Sequence, residues 1–174
     1  MPLILAYRGI MPRIAPGALI APDATITGDV VIADGANIWF GCVLRGDVAR
    51  ITVGAGTNIQ DGTVVHGSGG KPPTYIGAGV TIGHMALIHA CRLEDGSFVG
   101  MKACVCDGAI VESGAQVAAG AVVPPGKRIP AGELWGGNPA RPMRTLTEAE
   151  RQWIRDLPAH YTALAAEYPD FARR

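Results

Sequence analysis

Aliphatic residues recur at every sixth position through most of this 174-residue chain, and that period constrains the fold more than any other feature. Ile14, Ile20, Ile26, Ile32, Ile38 and Leu44 open the series, then Val53, Ile59 and Val65 continue it, followed by Ile76, Ile82 and Ile88. Leu93, Val99, Val105, Val111, Val117, Val123 and Ile129 close it, so all 19 positions hold Ile, Leu or Val. Four residues later a small side chain usually follows: Ala18, Ala24, Ala36, Cys42, Thr63, Ala86, Ala103, Ala109, Ala115 and Ala121. Neither a helical period of 3.6 nor a strand period of 2 produces this spacing. Large and small residues facing inward on a six-residue repeat describe an all-β parallel β-helix with three flat faces per coil. About 18 residues make a coil, so the hexads build about six coils.

The composition agrees with many short strands joined by turns: 24 Gly, 13 Pro and 48% hydrophobic residues, of which few are aromatic. Lys plus Arg equals Asp plus Glu at 15 each, so no net charge recruits nucleic acid or a membrane surface. The opening "MPLILAYRGIMPRI" has too short an apolar run and too little charge for a signal peptide, and no stretch nears the roughly 20 apolar residues of a spanning helix. A cytoplasmic protein is expected. Cys42, Cys91, Cys104 and Cys106 form no CxxC pair and read as packed thiols. Residues 1–13 read as a lead-in, 14–135 as the β-helix and 136–174 as a connector and C-terminal helix. Thr147 with Glu150 makes a capping box, and Trp153, Leu157, Tyr161, Leu164 and Tyr168 recur at helical spacing. Pro158 is expected to kink or divide that helix, whose aromatic stripe should pack along the prism of its own chain or of a neighbour.

The hexads resemble the left-handed β-helix of the hexapeptide-repeat superfamily. Handedness rests on that resemblance alone, since parallel crossovers are generally right-handed. The hexad register then places three of the chain's four histidines in space. His66 follows Val65 and His89 follows Ile88, and removing a five-residue excess in "GSGGKPPTY" sets them one coil apart, stacked on one corner. Their separation of about 4.8 Å lets both ligate one ion. His84 lies two residues after Ile82, at a different corner, so a threefold assembly is needed to bring a neighbour's His84 to the pair. The same register puts Arg45 under His66, Asp61 under His84 with Gln60 beside it, and Cys106 above His89. Cys106 reads as a small packed hydrophobe before it reads as a ligand for a soft metal, and an interface ion pair explains Arg45 and Asp61 about as well as a catalytic role does. His160, alone on the helix, reads as a surface residue.

"LRGD" at 44–47, "NIQDGTVVH" at 58–66, "IGHMALIHAC" at 82–91 and the closing "GGNPARPMR" resemble the gamma-class carbonic anhydrases. The resemblance implies a homotrimer in which His66, His84 and His89 bind a catalytic metal at the subunit interface, two from one chain and one from the next. It implies that Gln60 orients metal-bound solvent and that Arg45, Asp47 and Asp61 form an interface network. The reaction implied is reversible hydration of carbon dioxide to bicarbonate by a metal-bound hydroxide. Zn2+ is the expected ion, with Fe2+ or Co2+ also suited to three imidazoles. One departure stands out, because Val48 and Gly69 occupy positions where the archaeal type carries glutamates that shuttle protons. Two other readings remain open: an acyl-CoA-handling transferase or thioesterase, and a non-catalytic trimer pinned by its metal.

Overall fold

A computed structural model describes residues 1–173. It is a left-handed parallel β-helix followed by one α-helix. Three inward columns run its length, one for each face. Ile20, Ile38, Ile59, Ile82, Val99, Val117 and Trp135 pair rung upon rung along one column. A second holds Ile26, Leu44, Val65, Ile88, Val105 and Val123. The third runs from Ile14 through Ile32, Val53, Ile76, Leu93 and Val111 to Ile129. From Ile20 to Ile129 every one of these hexad side chains is at most 2% exposed. Burying one such aliphatic is worth roughly 1.5–3 kcal/mol, so the prism is held by a dry stack in which each coil needs its neighbours.

The prism has about seven turns, because a rung at each end adds to the 19 aliphatic hexads, the first out of phase with them and the last in phase. Leu3–Leu5 pairs in parallel with Thr25–Thr27, and Glu133–Gly136 adds a rung on Gln116 and Val117, with Trp135 filling the place of an aliphatic. Both edges of that face are then closed by antiparallel strands. Arg141–Thr145 pairs with Glu133–Gly136, and Ala172–Arg173 pairs with Leu19–Ile20. Covering open edges in this way removes templates for edge-to-edge association.

The helix α1 spans Glu148–Glu167, with the Thr147–Glu150 capping box formed in both directions. Arg144 adds two hydrogen bonds to the Glu150 carboxylate, at 2.8 and 2.6 Å. Pro158 lies inside α1 and does not divide it; it forfeits one backbone bond, as its missing N–H requires. The buried face is not the whole aromatic stripe. Ile154 and Ala165 are buried and Tyr161 and Leu164 pack against the core, whereas Trp153 rests on Phe98 and stays half exposed. No described helix is long and apolar enough to cross a membrane.

Candidate metal centre

The strands Val64–His66 and Leu87–His89 lie on adjacent rungs, with His66 and His89 as direct register partners. Val65 and Ile88 fill the core, so strand alternation turns both imidazoles outward. The extra residues of the 67–73 loop bulge away between them. His66 Nδ1 then stands 3.2 Å from His89 Nε2.

Each ring's other nitrogen meets a carboxylate. Asp47 Oδ1 is 2.8 Å from His66 Nε2, and Asp107 Oδ1 is 2.6 Å from His89 Nδ1. A carboxylate only accepts, so these partners assign the protons to His66 Nε2 and His89 Nδ1. With both rings neutral, the two nitrogens that face each other are lone-pair acceptors, and such a pair repels unless a shared proton or a metal cation lies between its members. Imidazole nitrogens bound at 2.0–2.1 Å to one tetrahedral ion stand about 3.3 Å apart, close to the separation found, so the donor set fits a divalent metal.

His84 follows the strand Thr81–Ile82 and stands at the next corner. Its Nδ1 lies 2.7 Å from Asp61 Oδ2, which by the same reasoning leaves Nε2 as a bare acceptor. Within one chain, among the described residues, no group of three His, Cys, Asp or Glu side chains is arranged to hold an ion. His66 and His89 form a pair whose carboxylate-free nitrogens face each other, and His84 points elsewhere.

The carboxylates respond to these contacts. Partial desolvation opposes ionisation of Asp47, but hydrogen bonds from His66 and Arg45 prevail and hold its carboxyl below the usual range. Asp107 is lowered by the Ser68 hydroxyl first and by His89 second. Arg45, placed under His66 by the register, reaches Asp47 and pairs with it. Gln60 is nearly buried, donates through Nε2 to Asn58 Oδ1 at 3.1 Å, and shares a cleft with His84, Met101, Trp153 and Tyr161. Cys106 Sγ lies 3.7 Å from Cys104 Sγ, while Cys42 and Cys91 are buried thiols, Cys42 pushed up to about 12 by desolvation. Val48 and Gly69 are exposed.

Asp107 was not among the candidate residues read from the sequence, because the register continues from His89 to Cys106 and stops one residue short. Its phase was a usable signal. Asp107 falls two residues after the inward Val105, as Asp61 follows Ile59 and His84 follows Ile82, and this phase marks the corner of the prism. The outward column beside the histidines is a further feature. Val43, Val64, Leu87, Cys104 and Val122 stack in register, forming an apolar ladder whose middle members Val64 and Leu87 are 38% and 39% exposed.

Similarity to known proteins follows the same residues. The family described as "Bacterial transferase hexapeptide (six repeats)" matches residues 11–46. A carbonic anhydrase of Geobacillus kaustophilus is 43% identical over 166 residues, covering 95% of this chain and 91% of that one. The mitochondrial gamma carbonic anhydrase 2 of Arabidopsis thaliana is 52% identical over 159 residues, or 88% of this chain. This chain belongs to the gamma carbonic anhydrase family. It spans 57% of the length of the Arabidopsis relative. Among solved structures, a hexapeptide transferase family protein from Anaplasma phagocytophilum superposes with a TM-score of 0.92 at 46% identity, covering 95% of this gamma carbonic anhydrase family member and 98% of that chain.

Proposed function

We propose that this protein catalyses the reversible hydration of carbon dioxide to bicarbonate at a divalent metal, Zn2+ with Fe2+ or Co2+ also accommodated, shared between subunits of a cytoplasmic homotrimer. The observation that carries the reading is the facing pair of acceptor nitrogens on His66 and His89, 3.2 Å apart, each backed by a carboxylate. A neighbour's His84, oriented by its own Asp61, supplies the third ligand. The apolar ladder of Val43, Val64, Leu87, Cys104 and Val122 is the surface that a neighbouring subunit covers, and closing it removes water from the flank of the site. The names of the Geobacillus and Arabidopsis relatives support the reaction.

A metal held by His66, His89 and a neighbour's His84 would supply hydroxide near neutral pH by lowering the pKa of water to about 7, a value for which carbonic anhydrase is itself the standard example. The residues of this chain supply the rest. Asp47 and Asp61 hold the protons of His66 and His84 on one nitrogen of each ring, which fixes ring orientation and would keep the other nitrogen basic toward a metal. Gln60 carries an amide beside Asp61 that orients solvent at the His84 corner. Hydration releases one proton per bicarbonate formed. With Val48 and Gly69 in place of carboxylates, that proton leaves through buffer, and turnover is limited by buffer concentration.

The test is carbon dioxide hydration by stopped flow on protein purified without air and loaded with zinc or ferrous iron, with metal counted per chain. Activity at one metal per chain, lost in His89→Ala, is the expected result. One metal per chain without hydration would reject the reaction and leave a metal-pinned assembly. The Anaplasma relative's description as a hexapeptide transferase favours acyl transfer as the second reading. Acetyl coenzyme A would then raise the thermal midpoint of His89→Ala as much as that of the native protein.

A further inference from the structure

Asp107 is the one carboxylate at this centre whose two oxygens serve separate neutral partners. Oδ1 takes the His89 Nδ1 proton at 2.6 Å, and Oδ2 accepts from the Ser68 hydroxyl at 2.7 Å. Asp47 in contrast divides itself between His66 and the guanidinium of Arg45. Ser68 belongs to the 67–73 loop, the excess that the hexad register ejects. At the far end of that loop Thr74 Oγ1 donates to the His66 carbonyl at 2.7 Å, and Lys71 N closes a turn on Ser68 O at 3.2 Å. The loop is therefore fastened at one end to the strand of one candidate ligand and at the other to the carboxylate that holds the second. Its composition, "GSGGKPPTY", includes no acid and no aromatic before Tyr75, so the loop itself brings only the Ser68 hydroxyl to the centre.

From this arrangement we infer that Asp107 is a positioning residue for His89, itself held in place by Ser68, so that the loop tunes metal affinity without touching the metal. The inference rests on the metal reading above. Asp107 sits at a corner of the prism, where its main chain is fixed independently: Gly126 N donates to Asp107 O at 2.8 Å and Gly108 N to Ala90 O at 2.7 Å. Side-chain substitutions there leave the rungs intact. An imidazole free of Asp107 would distribute its proton over both nitrogens, and every molecule with the proton on Nε2 has no lone pair to offer beside His66 Nδ1. Residues that fix a ligand histidine in this way typically change metal affinity by about 10- to 100-fold.

The experiment has two arms. Two-bond hydrogen–nitrogen correlation spectra of metal-free protein labelled at histidine report which nitrogen of His89 carries the proton. Chelator competition with zinc as the probe reports affinity. The native protein should hold His89 in the Nδ1–H form. Asp107→Ala should populate Nε2–H and weaken zinc about 10- to 100-fold. Asp107→Asn retains an acceptor oxygen, so it should keep the tautomer and lose less affinity, and Ser68→Ala should keep the tautomer with a loss smaller than that of Asp107→Ala. An Nε2–H form in the native metal-free protein, or unchanged zinc affinity in Asp107→Ala, would overturn the inference. The proton arm needs neither turnover nor metal. Tight zinc binding without carbon dioxide hydration would thus sink the proposed reaction while leaving Asp107 in this role.

Discussion

Replacing Leu87 by Asp tests the assembly apart from the ligand set, because Leu87 lies two residues before His89 on the same outward face, in the apolar ladder with Val64. Full burial of a leucine is worth roughly 1.5–3 kcal/mol. Leu87 retains 39% of its exposure in the single chain, so covering the remainder contributes roughly 0.6–1.2 kcal/mol at each subunit contact. An aspartate there loses that gain and adds a desolvation penalty of several kcal/mol for an unpaired charge. Together these exceed about 4 kcal/mol per contact, which weakens association about 1000-fold. The core columns are untouched, so the far-ultraviolet dichroism should not change. Sedimentation at micromolar protein should show native particles of three times the 18.1 kDa chain mass and single chains for Leu87→Asp. Zinc competition on the same samples should show the variant binding far more weakly, as only His66 and His89 remain. A trimeric variant would remove the ladder from the interface. A monomer that binds zinc with native affinity would refute the shared site, since no neighbour's His84 would be present.

The proton route and the fold each yield a direct test. A Cβ built on Gly69 meets nothing within 4 Å, and the residue lies outside the left-handed region, so Gly69→Glu should be accepted without strain; paired with Val48→Glu it should raise hydration about tenfold or more at low buffer and little at high buffer, and equal rates at low buffer would show that buffer access is not limiting. Ile88→Ala removes three carbons from a fully buried column position and should cost about 2–5 kcal/mol in urea unfolding against about 0.5–1.5 kcal/mol for Ile88→Val; a loss under 1 kcal/mol for alanine would mean that the coils relax around the cavity. Glu150 is held at about 2, below its ordinary 4.5, by Arg144 first and Thr147 second. A depressed carboxyl stabilises above its unfolded value and loses that contribution as pH falls through its folded one. The thermal midpoint of the native protein should therefore exceed that of Glu150→Gln at pH 6, with the gap closing between about pH 4.5 and 2, and a gap independent of pH would refute the assignment.

Nearly all of the inner architecture was legible because one physical rule governs every inward position. Apart from Trp135 on the last rung, the dry prism takes aliphatic side chains at the face centres and small ones near the corners, so Ile59, Ile82 and Ala86 declare their places without reference to neighbours. The stacking of His66 on His89 followed from the same rule, as did Asp61 beneath His84. Handedness was not legible in this way; it came through a resemblance. At the ends, Leu3–Leu5 joins the sheet through pairing rather than through the hexad, whereas Trp135 keeps the hexad six residues after Ile129 with an aromatic in place of an aliphatic. The helix face shifted for a different reason. Trp153 satisfies helical spacing, but the groove beneath α1 accepts the narrower Ile154 and Ala165, and the indole is left lying on Phe98.

What the register could not convey is how side chains reach across a corner, and that is where the centre acquires its order. Among the described residues four non-glycine positions take a left-handed backbone: Arg8, Met85, Ala90 and Lys102. Three of them adjoin the centre through their N–H groups. Met85 donates to the Asp61 carbonyl at 2.8 Å, Ala90 to His66 at 3.1 Å and Lys102 to His84 at 2.8 Å. The corner of Met85 and Lys102 is glycine at Gly41, Gly62 and Gly120, and that of Ala90 is glycine at Gly108 and Gly126, where the conformation is cheap. A side chain in that region costs of order 1–3 kcal/mol and persists only where its surroundings fix it. Met85 follows His84 and Ala90 follows His89, so the strain falls on the turns that aim two of the three imidazoles. A backbone pinned at both ends of each turn leaves the ring torsion as the remaining freedom of the histidine, and a single carboxylate is enough to remove it. The orientation of His84 by Asp61 and of His89 by Asp107 is thus the last step of a constraint that begins with the inward aliphatic two residues before His84 and one before His89.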